Sequence, residues 1–186
     1  MHSLQPITPL GSAEPEHSVV GGITIAENTA LALASVAARS SQEPACRTIL
    51  KTLLKSPAPE PGQALFAHPY SAIWMAQDQW LVSAPFDTHE QIASLLKSDF
   101  ASTASITEQT DGWVCFDVSG ENLTDMFERL CPAPVRRFQT GSAQRTTIHH
   151  ITCFLITQSS GIRVLGPQSS AAPLHPPRGT AAGSVA

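Results

Sequence analysis

The sequence predicts an α+β fold built from two related strand-helix-hairpin halves packed as one domain. Three observations lead there: short β-branched runs alternate in polarity, apolar stripes at helical spacing separate them, and the same order of elements occurs twice. The 186 residues, 42% hydrophobic, suffice for a sizeable core. We expect a flexible arm over residues 1–20, a domain over 21–172 with halves at about 21–100 and 101–172, and a Pro/Ala/Gly-rich tail over 173–186.

The first half is predicted to run strand, helix, hairpin, helix. Residues 30–39 fit the period of a helix and of a strand equally, so both interpretations stay open. A helix with an apolar stripe follows and must end before the proline-rich run at 56–62. Two short strands about Gln77 and Asp78 form a hairpin, and a helix with the stripe Ile92, Leu95 and Leu96, with Phe100 just beyond it, completes the half.

The second half centres on residues 110–131. Its strand is apolar on both faces, which predicts that both faces are covered. Ser119 and Gly120 supply a turn into a helix. The stripe of that helix comprises Leu123, Met126, Phe127 and Leu130. One long strand is predicted over 145–157, returning through a second hairpin at 162–165.

Composition argues against several classes of protein. A net charge of −4 does not suit a nucleic-acid surface, which needs a clustered basic face. No apolar run approaches the roughly 18 to 20 residues that span a bilayer. The N-terminus lacks the basic and apolar regions of a signal peptide, so we expect a cytoplasmic protein.

The cysteines and histidines predict no metal or redox centre. No two cysteines are spaced C-x-x-C, and we expect four reduced, packed thiols at Cys46, Cys115, Cys131 and Cys153. His149 and His150 are adjacent on the predicted strand and would point to opposite faces, one buried and one exposed. Zinc needs three or four converging ligands, which this spacing does not supply.

Charged residues offer two weak candidates. Asp117 could pair with Glu121 as two carboxylates, although an acid beside Ser119 more simply favours the N-terminus of the following helix. A basic cluster could meet an anionic ligand or a partner's carboxylates, or form a solvated rim. It comprises Arg129, Arg136, Arg137 and Arg145.

No motif for chemistry is recognisable in the chain. It shows no phosphate loop and no Gly-x-Ser-x-Gly elbow. The residues therefore assign no catalytic, cofactor-binding or metal-binding position.

Several runs together carry a family resemblance. They are ALALASVAARSSQE, IWMAQDQWLVSAPFD, TDGWVCFDVSGENLTDMFERLCP, VRRFQTGSAQRT and IRVLGPQSSA. In this order and spacing the chain resembles the gamma subunit of heterotetrameric sarcosine oxidase over roughly residues 22 to 172. The strand-Ser-Gly-helix pattern is also similar to the folate-binding domain of glycine-cleavage aminomethyltransferases. The chain departs from the family at Pro176 and Pro177, which stop the terminal helix that the family carries there.

The resemblance implies an accessory, non-catalytic subunit. Such oxidases demethylate sarcosine oxidatively to glycine, with hydrogen peroxide and formaldehyde or methylenetetrahydrofolate. The resemblance places FAD, FMN, NAD and tetrahydrofolate in the alpha and beta subunits and zinc in the delta subunit, with none bound by this chain. It implies alpha and beta, and possibly delta, as partners, with no nucleic acid or membrane. The alternative is a stand-alone folate-binding or aminomethyltransferase-like domain.

Overall fold

A computed structural model describes residues 6–175. The chain forms two compact units that are interleaved along the sequence. Unit 1 comprises residues up to 29, 112–140 and from 144 onward, and unit 2 comprises 30–111 and 141–143. Within the described residues, no helix is long and apolar enough to cross a membrane.

Unit 1 is built on a six-stranded antiparallel sheet. In spatial order its strands are β1 (His17–Val20), β2 (Ile23–Glu27), β8 (Trp113–Gly120), β11 (Gly161–Pro167), β10 (Ile151–Gln158) and β9 (Ala143–Ile148). Helix α4 (Leu123–Leu130) buries Met126 and Phe127 in one core with Phe116 of β8. The chain ends its described part with the short helix α5 (Ala171–Leu174). The predicted strand-to-helix succession is therefore present, and Cys115 on the other face of β8 is buried as well.

Unit 2 is built on a five-stranded antiparallel sheet. In spatial order its strands are β4 (Ala64–Leu65), β5 (Ser71–Ala76), β6 (Gln79–Pro85), β3 (Leu31–Ala38) and β7 (Ala104–Glu108). Its helices are α1 (Glu43–Leu54), α2 (Phe86–His89) and α3 (Ile92–Phe100). Residues 31–38, which fit either period, are a strand because β3 pairs with strands on both sides.

Each unit contains one strand that the predicted halves assign to the other unit. Ile23 and Ile25 of β2 pack in the core of unit 1, although residues 21–100 were predicted as one half. Strand β7 lies beyond residue 100 and pairs with β3 in unit 2. Pairing between distant segments depends on which faces fit together in three dimensions, and the order of elements does not carry that information.

The N-terminal segment differs from the predicted flexible arm over residues 1–20. β1 pairs with β2 through a two-residue turn at Gly21 and Gly22, both with positive φ. The Glu27 carboxylate is buried and accepts the backbone N–H of Leu10 at 3.0 Å and of Glu16 at 3.1 Å. The segment is held by these long-range contacts, while residues 1–5 lie outside the described part of the chain.

The predicted strand over 145–157 is two strands. His149 and His150 adopt φ of +49° and +68° and form the turn between β9 and β10. Positive φ at both central residues is the mirror-image turn that suits a hairpin. The prediction of one continuous strand was wrong because the sequence lacks the Asn-Gly signal usual for this turn. Because both histidines lie in the turn, both are exposed, and neither is buried as the strand would have required.

Candidate functional site

A cross-strand ion pair lies on the face of the unit 1 sheet opposite Phe116 and Val118. Asp117 of β8 stands directly across from Arg163 of β11 in the antiparallel register. Arg163 Nε donates to Asp117 Oδ1 at 2.7 Å, and Nη2 donates to Oδ2 at 2.9 Å. Two parallel hydrogen bonds of this kind match the planar guanidinium to the carboxylate.

Two amides complete the polar cluster. Asn28 Nδ2 donates to Asp117 Oδ2 at 2.6 Å. The Gln158 amide oxygen, turned toward the guanidinium, accepts from Arg163 Nε at 2.9 Å and Nη2 at 3.2 Å. The reverse orientation would bring Gln158 Nε2 within 3.4 Å of Asp117 Oδ1 but would set amide donors against guanidinium donors. We therefore assign the orientation in which Gln158 accepts from Arg163.

The close approach of β11 to β8 positions this cluster. Gly161 begins β11 with φ of +151°, and a Cβ there would collide with the carbonyl oxygen of Val118. A glycine at this position lets the two strands run in register from Ile162 onward. The register places Arg163, two residues further, opposite Asp117.

The ion pair is partly shielded from water. The side chain of Arg163 is 15% exposed and that of Asp117 is 35% exposed. Burial alone would raise the pKa of Asp117, but the hydrogen bonds and positive charge of Arg163, with the amide of Asn28, outweigh it and lower the pKa below its ordinary value. Asp117 is therefore ionised at neutral pH. A general base works best with a pKa near the operating pH, so the lowered pKa of Asp117 does not suit that role.

Two depressions flank the turn between β10 and β11. One, of about 140 Å³, adjoins the ion pair and is lined by Thr24, Ala26, Asp117, Val118, Ser119, Gln158, Ser160, Gly161 and Ile162. The other, of about 350 Å³, is lined by Gly120, Leu123, Thr124, Val135, Phe138, Thr157, Gln158, Ser159, Ser160, Gly161 and Ile162. The first includes the hydroxyl-bearing residues Thr24, Ser119 and Ser160 beside a carboxylate that is already hydrogen-bonded, and most of its lining surface is apolar.

Comparison with solved structures shows what fold this is. The chain superposes on a chain of heterotetrameric sarcosine oxidase from Corynebacterium sp. U-96, in complex with pyrrole 2-carboxylate, with a TM-score of 0.70 and 16% identity, covering 85% of this chain and 82% of that one. It superposes on the glycine cleavage system aminomethyltransferase T from Bartonella henselae with a TM-score of 0.65 and 10% identity. That match covers 92% of this chain and 56% of the other. The chain shares its fold with both.

The likeness to these two solved structures, at 16% and 10% identity, is one of fold. No protein-family model matches the sequence, and no curated protein sequence matches it significantly. The predicted mixed α+β architecture, similar to a folate-binding-like domain, is confirmed at the level of fold. The chain spans about half the length of the aminomethyltransferase that it matches.

Within this fold Asp117 has a different role from the one that the sequence suggested. It lies in the middle of β8, with its carboxylate bound by Arg163, so it neither pairs with Glu121 nor caps α4. The residue at the N-cap of α4 is Asn122, with φ of +60° and no side-chain capping hydrogen bond. The sequence does not indicate the partner of Asp117, because Arg163 lies 46 positions away. The available signal was a charged residue in each of two otherwise apolar strands.

The predicted arginine cluster is only partly available to a ligand. Arg136 pairs with Asp125 at 2.6 Å and with Glu128 at 2.9 Å, both on α4. Arg145 lies on the edge strand β9 and is exposed. At least one of the four guanidiniums is thus neutralised by carboxylates of the same chain.

The thiols are buried, as predicted. All four cysteines lie among the described residues, and none forms a disulfide. Burial raises the pKa of Cys46 to about 11 and those of Cys115 and Cys153 to about 12. No group of three or more His, Cys, Asp or Glu side chains that could hold a metal ion occurs within residues 6–175.

Proposed function

We propose that this chain is the accessory, non-catalytic gamma subunit of a heterotetrameric sarcosine oxidase. The observation that carries the proposal is the reciprocal coverage of the structural match, 85% of this chain and 82% of the oxidase chain. A chain that matches most of one subunit, but only 56% of an aminomethyltransferase, has the dimensions of the subunit. The resemblance of residues 22 to 172 to the gamma subunit points the same way.

The proposed complex oxidises sarcosine with oxygen and water to glycine, formaldehyde and hydrogen peroxide. With tetrahydrofolate, the one-carbon unit leaves as methylenetetrahydrofolate instead of formaldehyde. FAD, FMN, NAD and the folate belong to the alpha and beta subunits in this proposal, and zinc belongs to delta. The gamma chain contributes surface for assembly, and the Asp117–Arg163 pair joins two central strands of the unit 1 sheet.

Purification of the tagged chain from its own cells tests the proposal. We expect a stoichiometric complex that is yellow from bound flavin and that produces hydrogen peroxide when sarcosine is added. Co-expression of all four subunits provides the decisive arm. If this chain stays free while the other three assemble, the proposal is wrong.

A stand-alone folate-binding domain is the second candidate. It is favoured by the 92% of this chain that the aminomethyltransferase match covers. The arginine cluster would hold the glutamate tail of folate, but Arg136 is already paired with Asp125 and Glu128. Calorimetric titration of the folded, isolated chain with tetrahydrofolate decides, and the absence of binding heat would remove this candidate.

A further inference from the structure

Strand β1 forms an open edge of the unit 1 sheet. It is the last strand in the spatial order, beyond β2. The side chains of His17 and Val19 face solvent, and Val19 is 71% exposed. A β-branched side chain on an exposed edge is the arrangement that accepts a further strand.

The backbone of β1 has hydrogen-bonding groups that point away from β2. Glu16 stands opposite Glu27, and their backbones are joined by a hydrogen bond of 2.8 Å from Glu27 N to Glu16 O. Hydrogen-bonded and non-bonded pairs alternate along an antiparallel ladder. The N–H and C=O groups of His17 and Val19 therefore point outward, and no other described segment pairs with them.

The other sheet edges are better protected. On β9 the exposed Arg145 places a charge on the edge. On β7, Glu108 likewise places a charge on the edge, and its carboxylate accepts the N–H of Thr110 at 3.2 Å. The edge strand β4 is only two residues long. Charges and shortness both discourage pairing, and β1 has no Lys, Arg, Asp or Glu between His17 and Val20.

Charge indicates what kind of strand fits. The first Lys or Arg in the sequence is Arg39, whereas Glu14 is exposed just before β1. A second copy of this edge would bring the same acidic segment. Two four-residue edges also bury much less than the roughly 1,200 Å² of a stable interface. A longer, basic segment from another protein satisfies both requirements.

We propose that β1 is the docking edge for a partner subunit, which adds an extended antiparallel strand opposite His17 and Val19. That strand carries an apolar residue beside Val19 and a Lys or Arg that meets Glu14. The inference rests on the proposed function, since it names the surface by which this subunit joins its complex.

Proline substitution tests the edge without breaking the sheet. Because the Val19 N–H points outward, Val19→Pro removes a donor from the docking edge while the β1–β2 ladder stays intact. Thr147→Pro is the matched control. Thr147 is exposed on the opposite edge strand, one residue before the end that leads into the two-residue turn, so its N–H also points outward.

The readouts are capture of the flavin-bearing complex by tagged full-length chain and amide hydrogen exchange within it. Wild type and Thr147→Pro should capture equal amounts of flavin, and Val19→Pro about tenfold less, the size of one or two lost hydrogen bonds. Exchange at the Val19 amide should be fast in the isolated chain and slow in the complex. Circular dichroism and thermal unfolding of each isolated variant show whether that variant folds.

Three results would overturn the inference. Undiminished flavin capture by folded Val19→Pro leaves the proposed function standing and shows that the partner docks elsewhere. A dimer of the purified chain that Val19→Pro dissociates, seen by light scattering, shows that a second copy occupies the edge. Slow exchange of the Val19 amide in the isolated chain shows that the chain covers its own edge. If wild type captures no flavin-bearing partner, the proposed function fails first.

Discussion

Arg163 holds Asp117 across strands β8 and β11 with two hydrogen bonds, of 2.7 Å and 2.9 Å. The pair joins segments 46 positions apart in the middle of the unit 1 sheet. Because Arg163 is only 15% exposed, loss of Asp117 leaves a guanidinium that water reaches poorly. Variants of this pair therefore measure how far the stability of the sheet depends on a polar contact.

Arg163→Met should lower the free energy of unfolding by about 1–3 kcal/mol, less than for a fully buried pair because Asp117 is partly exposed. Asp117→Asn should also destabilise the protein, and the double variant should lose less than the sum of the two. Urea unfolding of all four proteins measures the coupling. Arg136→Met is the control, since Arg136 is 62% exposed and should change stability little. Simple additivity of the Asp117 and Arg163 variants would show that the pair has no net coupling.

Acid should weaken the protein through Asp117. Its folded-state pKa is lowered, so its contribution to stability is complete above the unfolded value of about 3.9 and is lost as the pH falls through the folded value. The stability difference between wild type and Asp117→Asn should therefore shrink below about pH 4. Thermal unfolding of both proteins from pH 6 to pH 2.5 measures it. A difference that stays constant across this range would contradict the assignment.

Glu27→Ala should release the N-terminal segment. The variant deprives the N–H groups of Leu10 and Glu16 of their charged acceptor, a bond type worth about 1.5–3 kcal/mol each. Thermolysin should then cleave between residues 8 and 16 about tenfold faster or more. Mass spectrometry of timed digests gives the rate. Glu14→Ala, at an exposed position, serves as the control and should cleave like wild type.

The turn at His149 and His150 is open to stabilisation. Both residues have positive φ, which Asn and Gly tolerate better, so His149→Asn combined with His150→Gly should add about 1 kcal/mol. The same Asn-Gly pair at Ser159 and Ser160 is the control, because neither serine has positive φ and no gain is expected there. Urea midpoints compare the two. Equal gains at both turns would mean that the conformation of the His149 turn is not the cause.

Trp80 should matter far more than its cross-strand neighbour Trp74. Trp80 is fully buried, donates its indole N–H to the Pro59 carbonyl at 2.9 Å and lies 4.9 Å from the guanidinium of Arg47. Trp80→Phe leaves that carbonyl without its donor and should cost about 1–3 kcal/mol. Trp74→Phe makes the same chemical change at a partly exposed site and should cost less. Equal losses in thermal unfolding would show that ring volume, rather than the hydrogen bond, is decisive.

Local patterns in the sequence accounted for much of this fold. The hairpin around Gln77 and Asp78 and the amphipathic helix at Leu123–Leu130 occur where they were predicted. Each depends on residues within a few positions of one another, where periodicity and turn chemistry act directly. The turn at His149 was not predicted, because its conformation is imposed by the pairing of the two strands that it joins.

The candidate site could not be predicted in the same way. In the sequence, Asp117 suggested a carboxylate pair with Glu121 or a favourable charge at the N-terminus of the following helix, and no local pattern links it to Arg163. Glu27 likewise gave no local sign that it would hold the segment before β1. These contacts join positions brought together only by the register of distant strands.

By itself, the sequence determined the α+β class, the positions of most elements and the buried state of the cysteines. Apolar periodicity is a local property, because the spacing of apolar residues within one segment shows which of its faces can be buried. The tertiary structure alone decided which strands share a sheet, which charges neutralise one another and which edge stays open. Those outcomes depend on the mutual fit of segments far apart in the chain, and a list of residues in order does not specify that fit.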